Sequence, residues 1–324
     1  MKHAHFIRAA ALTTLAGLAS AFAIAQGTQP VRLIVGFPAG GSVDTIARAF
    51  AEQARVQLGT TMVVENRAGA SGKIAIDAMM SAPADAATVL IAPASVIELG
   101  PMVLNTMKFD AIKDFAPIGR LAEYGFGVAA GAASGAKDID AYKAWARANP
   151  SLSSFATPGL GTPQQFLGVQ LQKTLGVELV HVPYKGGANS VTDVMGGQVP
   201  LLVTTEQVLV PYHGQGKLNT LFITSKRRNA LMPDVPTAKE IGMPQLESVD
   251  WFGAFVKAGT PADKLSTWRA NVQRVVASQG YKDEMKKLGY DVPNGQPADL
   301  AALMTAERNA WAERVKLSGF KPTE

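Results

Sequence analysis

Val31-Arg32-Leu33-Ile34-Val35 is a short apolar run that stops at Gly36-Phe37-Pro38-Ala39-Gly40-Gly41-Ser42. Across residues 44–58, apolar side chains then recur at Ile46, Ala47, Phe50, Ala51, Ala54 and Leu58, before Gly59. The first run has the length and boundaries of a buried strand. The last has the period of a helix, with glycine as its stop signal. A strand, a Gly-rich turn and a helix in that order open a βαβ unit. Downstream, the pattern predicts a strand over 62–65, a loop at 66–72, a helix over 74–80 and a strand over 88–92. Alternation at this spacing implies an α/β protein with a largely parallel sheet.

The rhythm resumes after an extended segment at 116–130. Asp138 caps a helix that runs to 148 and is ended by Asn149-Pro150. Strands follow over 153–156 and 179–182, with a loop at 157–162 and a helix at 163–175 between them. A helix over 189–195 is closed by Gly196-Gly197, and strands follow at 201–204 and 218–224. Residues 252–256 are extended, and helices are expected over 263–278, 281–288 and 297–317. No short fixed repeat is visible, which argues against a solenoid. Two α/β units joined by two extended segments predict two hinged lobes with the ligand cleft between them. Lobe one is expected at 26–128 plus 248–324, and lobe two at 129–247.

Composition narrows the chemistry. The 324 residues are 47% hydrophobic and 18% charged, an ordinary globular balance. With no cysteine, disulfides, thiolate metal sites and cysteine nucleophiles are excluded together. The formal charge of +5 is mild, and its longest basic run is Lys226-Arg227-Arg228. No basic stripe is present to hold a nucleic acid. The first 25 residues differ from the rest. Lys2 and Arg8 begin them, residues 9–25 are uncharged and Ala-rich, and Ala23-Ile24-Ala25 precedes Gln26. This is the pattern of a secretory signal peptide cleaved after Ala25; the run is too short and too weakly apolar for a membrane anchor. Cleavage removes Lys2 and Arg8, bringing the charge from +5 to +3, and leaves only His181 and His213.

Two loops have the setting for ligand chemistry. Phe37-Pro38-Ala39-Gly40-Gly41-Ser42-Val43-Asp44 follows a strand and opens a helix. Glycines let backbone amides approach an anion, and the helix start carries partial positive charge. The loop lacks the Gly-Lys-Ser/Thr of a P-loop and is no dinucleotide fingerprint. The plainer reading is a βα turn with Ser42 or Asp44 as helix cap. Thr157-Pro158-Gly159-Leu160-Gly161-Thr162-Pro163-Gln164-Gln165 repeats the setting in the second unit. Thr162 suits an N-cap and Pro163 a first helical residue. Two such helix starts facing one cleft would clamp a carboxylate.

Catalytic patterns are weak. Gly69-Ala70-Ser71-Gly72 lacks nucleophile-elbow spacing. His181, between Val180 and Val182, reads as a strand residue, and no histidine pair has metal-ligand spacing. No catalytic residue, metal or cofactor is assigned. Neither histidine lies in a Gly-rich loop, so binding is expected to survive the loss of either.

The chain resembles the Bug family, the periplasmic solute-binding proteins of tripartite tricarboxylate transporters. Residues 31–44 carry the resemblance first, and Val63-Val64-Glu65-Asn66-Arg67-Ala68-Gly69-Ala70-Ser71-Gly72 and Lys113-Asp114-Phe115-Ala116-Pro117-Ile118 extend it. It continues through Gly159-Leu160-Gly161-Thr162-Pro163-Gln164 and His181-Val182-Pro183-Tyr184-Lys185-Gly186. Gly196-Gly197-Gln198-Val199, Pro233-Asp234-Val235-Pro236-Thr237 and Trp251-Phe252-Gly253 complete it. The resemblance implies a two-lobed type II periplasmic-binding-protein fold. It also implies a carboxylate held by the two loops, largely through backbone amides and bridging waters. The family pattern carries onto Phe37, Pro38, Ala39, Gly40, Gly41, Ser42 and Asp44, and onto Thr157, Gly159, Gly161, Thr162 and Gln165. Ala39 stands where the family usually has Pro, Pro158 where a small polar residue is usual, Gln165 where His is frequent, and Thr204 where many members have Asp.

Together these readings predict a periplasmic receptor, expected to be a monomer, that captures a small organic carboxylate for a tripartite tricarboxylate-type transporter or a sensor. The rival readings are a periplasmic hydrolase or lyase using the same cleft, and an interaction protein without a small ligand. Neither Gly-rich loop contains Lys or Arg, and Thr204 is neutral. A non-amino carboxylate is therefore favoured, although Asp44 or Glu206 remains available to face an ammonium. Phe37, Phe155 and Trp251 are candidate contacts for the ligand's body, with plain packing as the alternative for each.

Overall fold

The structure, a computed structural model, describes residues 30–296 and 299–322; the signal-peptide expectation for 1–25 lies outside the described residues. The first half of the chain gives β1 (Val31–Val35), α1 (Ser42–Leu58), β2 (Met62–Asn66), α2 (Lys73–Ser81), β3 (Thr88–Pro93), α3 (Ala94–Val103) and β4 (Phe115–Ala130). The middle gives α4 (Ile139–Ala148), β5 (Ser154–Thr157), α5 (Pro163–Leu175), β6 (Val180–Pro183), α6 (Gly187–Met195), β7 (Leu201–Thr205), α7 (Glu206–His213) and β8 (Asn219–Ile223). Then come β9 (Val249–Lys257), α8 (Ala262–Ala277), α9 (Gln279–Lys287) and α10 (Leu300–Ser318).

Strand burial shows why the segments pair as they do. In β1, Leu33 and Val35 enter one apolar cluster while Ile34 enters another; in β3, Val89 and Ile91 oppose Leu90 and Ala92. Alternate residues leave opposite faces of a strand, so both faces of this sheet are covered. Phe50 of α1, Val272 of α8 and Tyr281 of α9 cover one face, and Ile76 of α2, Ile97 of α3 and Met304 of α10 the other. The second half repeats the plan. Tyr142 of α4 and Leu171 of α5 pack on one side of its sheet, and Val191 of α6 and Leu209 of α7 on the other.

The strands follow the order β2-β1-β3-β9-β4-β7-β5-β6, with β8 also on β4. Strand β4 belongs to both halves. Phe115 to Gly125 pair with β9, and Phe126 to Ala130 pair with β7 and β8. This register decides where the loops emerge. The carboxyl end of β3, at Pro93, is opposite Phe252, which is opposite Ala122 of β4. The carboxyl end of β7, at Thr205, is opposite Phe126. β3 runs with β4 and β7 against it, so both point at residues 122–126 from opposite directions. β1 and β2 are parallel to β3, and β5 and β6 are parallel to β7. Six strands thus deliver their carboxyl ends, and the loops attached to them, to one crevice.

Two helices depart from the sequence pattern. α3 contains Pro101, and its polar residues Ser95 and Glu98 are buried, so it shows no amphipathic stripe. α7 is eight residues long and contains Pro211. α3 has a large part in the architecture. Its Leu99 and Val103 pack with Phe166 of α5 and Trp311 of α10, an apolar contact that joins the two halves.

The middle of β4 tolerates no side chain at Gly125. A Cβ there would stand 2.1 Å from Ser225 Oγ and 2.8 Å from the Ser225 backbone nitrogen. The hydroxyl can rotate away; the backbone cannot. Gly125→Ala is expected to lower the unfolding free energy by about 1–3 kcal/mol, as overpacking does. Denaturant titration checks this, and an unchanged midpoint would contradict it.

Candidate functional site

The two Gly-rich loops are built on one plan. Gly40 has φ +79° and Gly161 has φ +69°, a left-handed conformation that favours glycine. The N–H of Gly40 donates to Asp44 Oδ2 at 2.9 Å, and the N–H of Gly161 donates to Gln165 Oε1 at 2.8 Å. In each case the acceptor is four residues on, in the first turn of the helix, and folds back to hold the loop. In each case the helix begins without a side-chain cap, at Gly41 and at Thr162. Asp138, Ser278 and Asp299 do cap α4, α9 and α10. The helices that follow β1, β2, β3, β5, β6 and β7 all begin uncapped. Their first-turn N–H groups therefore face the crevice without a side-chain cap, although α1 and α7 carry Asp44 and Glu206 in the first turn.

Asp44 is a clamp for its loop. Besides Gly40 it takes Arg48 Nε at 2.9 Å and Asn66 Nδ2 at 2.9 Å; the latter also reaches the Phe37 carbonyl. Burial pushes its carboxyl up, but the bonds from Arg48, Gly40 and Asn66 prevail and hold it below the usual range. Paired in this way, Asp44 is not free to meet a ligand ammonium. Glu206 is equally occupied. It is buried, bonds Ser225 Oγ at 2.8 Å and Asn229 Nδ2 at 3.4 Å, and is pushed upward by desolvation.

Loop two is braced from behind. Thr157 Oγ1 donates to the Gly159 carbonyl at 2.9 Å and lies 2.7 Å from His181 Nε2. Since the threonine proton goes to that carbonyl, the histidine must donate, which fixes a neutral Nε2–H tautomer. Thr162 Oγ1 adds a second bond to the same carbonyl. His181 is therefore coupled to the loop although it lies outside it in the sequence. His213 is far from this arrangement in its bonding, pairing with Asp234 at 2.9 Å.

The loops lie close together. A Cβ on Gly159 would be 3.7 Å from Ser71 Oγ, and one on Gly36 would be 2.7 Å from Gly72 Cα. Residues 69–72 thus stand beside loop one and against loop two. Ala70 and Ser71 have φ +46° and +54°, strain concentrated where the three loops meet. The placement of Ser71 against loop two is one that sequence reasoning misses; its signal is the run Gly69-Ala70-Ser71-Gly72, visible but without a partner in the sequence. Thr204 is buried at the end of β7, 3.9 Å from where a Cβ on Gly187 would be. Pro38, Ala39 and Gly40 are exposed, and Gly41 N–H closes a turn onto the Pro38 carbonyl. Of the three aromatics, Phe37 rests near Gly72 at the crevice. Phe155 is fully buried against His181, and Trp251 is buried and donates to Glu307 Oε2 at 2.8 Å; both are packing residues.

A family model described as the tripartite tricarboxylate transporter family receptor matches residues 46–319 of the chain. Among solved structures, the periplasmic binding protein BugD is 30% identical with TM-score 0.83, covering 92% of this chain and 100% of its own. The Rhodopseudomonas palustris protein Rpa4515 with adipate is 26% identical with TM-score 0.85, covering 92% and 100%. MatC from Rhodopseudomonas palustris with bound malate is 27% identical with TM-score 0.78, covering 88% and 98%. The two-lobed α/β fold read from the sequence is the fold of these binding proteins.

His181 supplies a pH test of the brace. Burial lowers its pKa from 6.5 to about 4. Between these values the unfolded chain binds more protons than the native one, so this contribution to stability is lost as pH falls through that window. The wild-type melting temperature should therefore drop more steeply from pH 6.5 to 4 than that of His181→Asn. Equal slopes would contradict the buried neutral imidazole.

Proposed function

The chain belongs to the tripartite tricarboxylate transporter receptor family, and from that premise we propose that it is a periplasmic receptor whose lobes close on a small non-amino carboxylate. The observation that carries this reading is the pair of uncapped helix starts, α1 and α5, each behind a glycine loop held by its own fourth residue. An anion at each helix start gains about 0.3–1 kcal/mol, and no side chain caps the first-turn N–H groups of either helix. Phe37, Pro38, Ala39, Gly41 and Ser42 shape one wall, and Thr157, Gly159 and Thr162 the other. Asp44 and Gln165 act indirectly by fixing Gly40 and Gly161. Ser71 joins them from the third loop, and Thr204 sets the neutral character of the far end.

On this reading residues 1–25 direct export, and the lobes are 26–128 plus 248–324 and 129–247, pivoting in β4 near residues 122–126. The closed receptor, a monomer, presents its ligand to a tripartite transporter or a sensor. It binds without turnover: the adipate and malate of the related structures are held ligands, and both histidines here are engaged by Thr157 and Asp234.

Calorimetric titration with matched pairs tests the ligand class: succinate against aspartate, adipate against 2-aminoadipate. The dicarboxylates should bind more tightly than their amino partners. Gly161→Ala, which forces a Cβ within 2.6 Å of Val103 Cγ2, should weaken their binding about ten-fold or more. Tighter binding of the amino acids, sensitive to the same substitution, would overturn the class.

A further inference from the structure

A cavity of about 230 Å³ opens beneath α10, lined by Glu98, Asp250, Glu307, Trp311 and Arg314, with Lys226 and residues 247–249 at its edge. It shares no residue with the Gly-rich loops. Its floor is three carboxyl groups from three elements. Asp250 takes Ser95 Oγ at 2.6 Å and Tyr124 OH at 2.7 Å, and Glu307 takes the Trp251 indole. Glu98 is 2% exposed, and its Oε1 has no hydrogen-bond partner. Burial, then the neighbouring Glu307 and Asp250, pushes Glu98 up to about 10. Glu98 is therefore a neutral acid that shares its proton with Glu307, and its unpartnered Oε1 is a buried acceptor beside Glu307 and Asp250, a seat for a cationic donor.

The other end is basic. The Arg314 guanidinium lies over the Trp311 ring, 4.8 Å from its centroid. It is exposed and forms no ion pair among the described residues, and the same is true of Lys226. Glu307 and Arg314 are seven residues apart on α10, so they share a helix face and are separated by about 10 Å of rise. Trp311 lies between them and gives an apolar surface. A ligand lying along this face meets acid, then a ring, then base.

We propose that this cavity is a second ligand site, separate from the loop cleft, that binds an ω-amino carboxylate with its ammonium toward Glu98 and Glu307 and its carboxylate toward Arg314. The separation of the charges selects a chain longer than an α-amino acid. Asp250 is in β9 and Lys226 follows β8, so an occupant touches both the hinge and the second half of the chain.

The test is calorimetry with 6-aminohexanoate as probe. Saturable binding is expected, weakened about ten-fold or more by Arg314→Met and by Glu307→Gln, the loss appropriate to a charged hydrogen bond. Gln at 307 still accepts from Trp251, so that fold contact is kept. Hexanoate and hexylamine, each lacking one charge, should bind at least about ten-fold more weakly. Saturating succinate should leave 6-aminohexanoate binding unchanged, which separates this site from the loop cleft. No saturation by about 10 mM, equal binding of either single-charge control, or insensitivity to Arg314→Met would overturn the proposal.

Discussion

Everything in this protein hangs on one strand serving two sheets. β4 pairs along its first part with β9 and along its last part with β7 and β8. Because β3 runs with it and β7 against it, the parallel strands of both halves must end near its middle. No other arrangement of those registers is open. The crevice is therefore a consequence of strand direction, and the loops after β1, β2, β5 and β6 reach it because they emerge at those ends. Gly125, pressed against the Ser225 backbone, is the last residue of β4 paired with β9.

Around that crevice the chain solves the same local problem twice with different chemistry. A left-handed glycine needs its N–H satisfied, and a side chain four residues on does it. In the first loop the acceptor is a carboxylate that Arg48 neutralises; in the second it is the neutral amide of Gln165. Both solutions leave the first-turn amides of the helix to the crevice, and neither places a full negative charge there without a partner. A site lined by neutral donors suits an anion that arrives from water and must leave again. Fixed dipoles hold it without the cost of desolvating a buried cation.

The parts of this arrangement that obey local rules are legible in the sequence. The helix over 163–175 is seen with the expected bounds, and β1 with both of its ends, because Pro163, Gly176 and the run 31–35 are unambiguous signals. α3 is illegible: it is apolar on all sides, and its only charged residue, Glu98, points into the interior. The role of Gln165 is half legible. The Gly-x-x-x-acceptor spacing stands in both loops, but in sequence it suggests ligand contact, whereas its first function is to hold the glycine. Ser71 against Gly159 is beyond reach, since residues 88 positions apart meet only through the shared strand. For Phe155 and Trp251 the packing alternative is the one seen, since both side chains are buried.

The central claim is that a carboxylate is held between the uncapped starts of α1 and α5 by backbone amides. Amide resonances of the isotope-labelled protein, followed during an adipate titration, test it most directly. The first-turn amides of Ser42 and Val43 and that of Gln164 are predicted to shift together with one saturation curve. The amides of Gly40 and Gly161, already bonded to Asp44 and Gln165, should move little. Saturable shifts confined to one loop, or to the residues beneath α10, would contradict it.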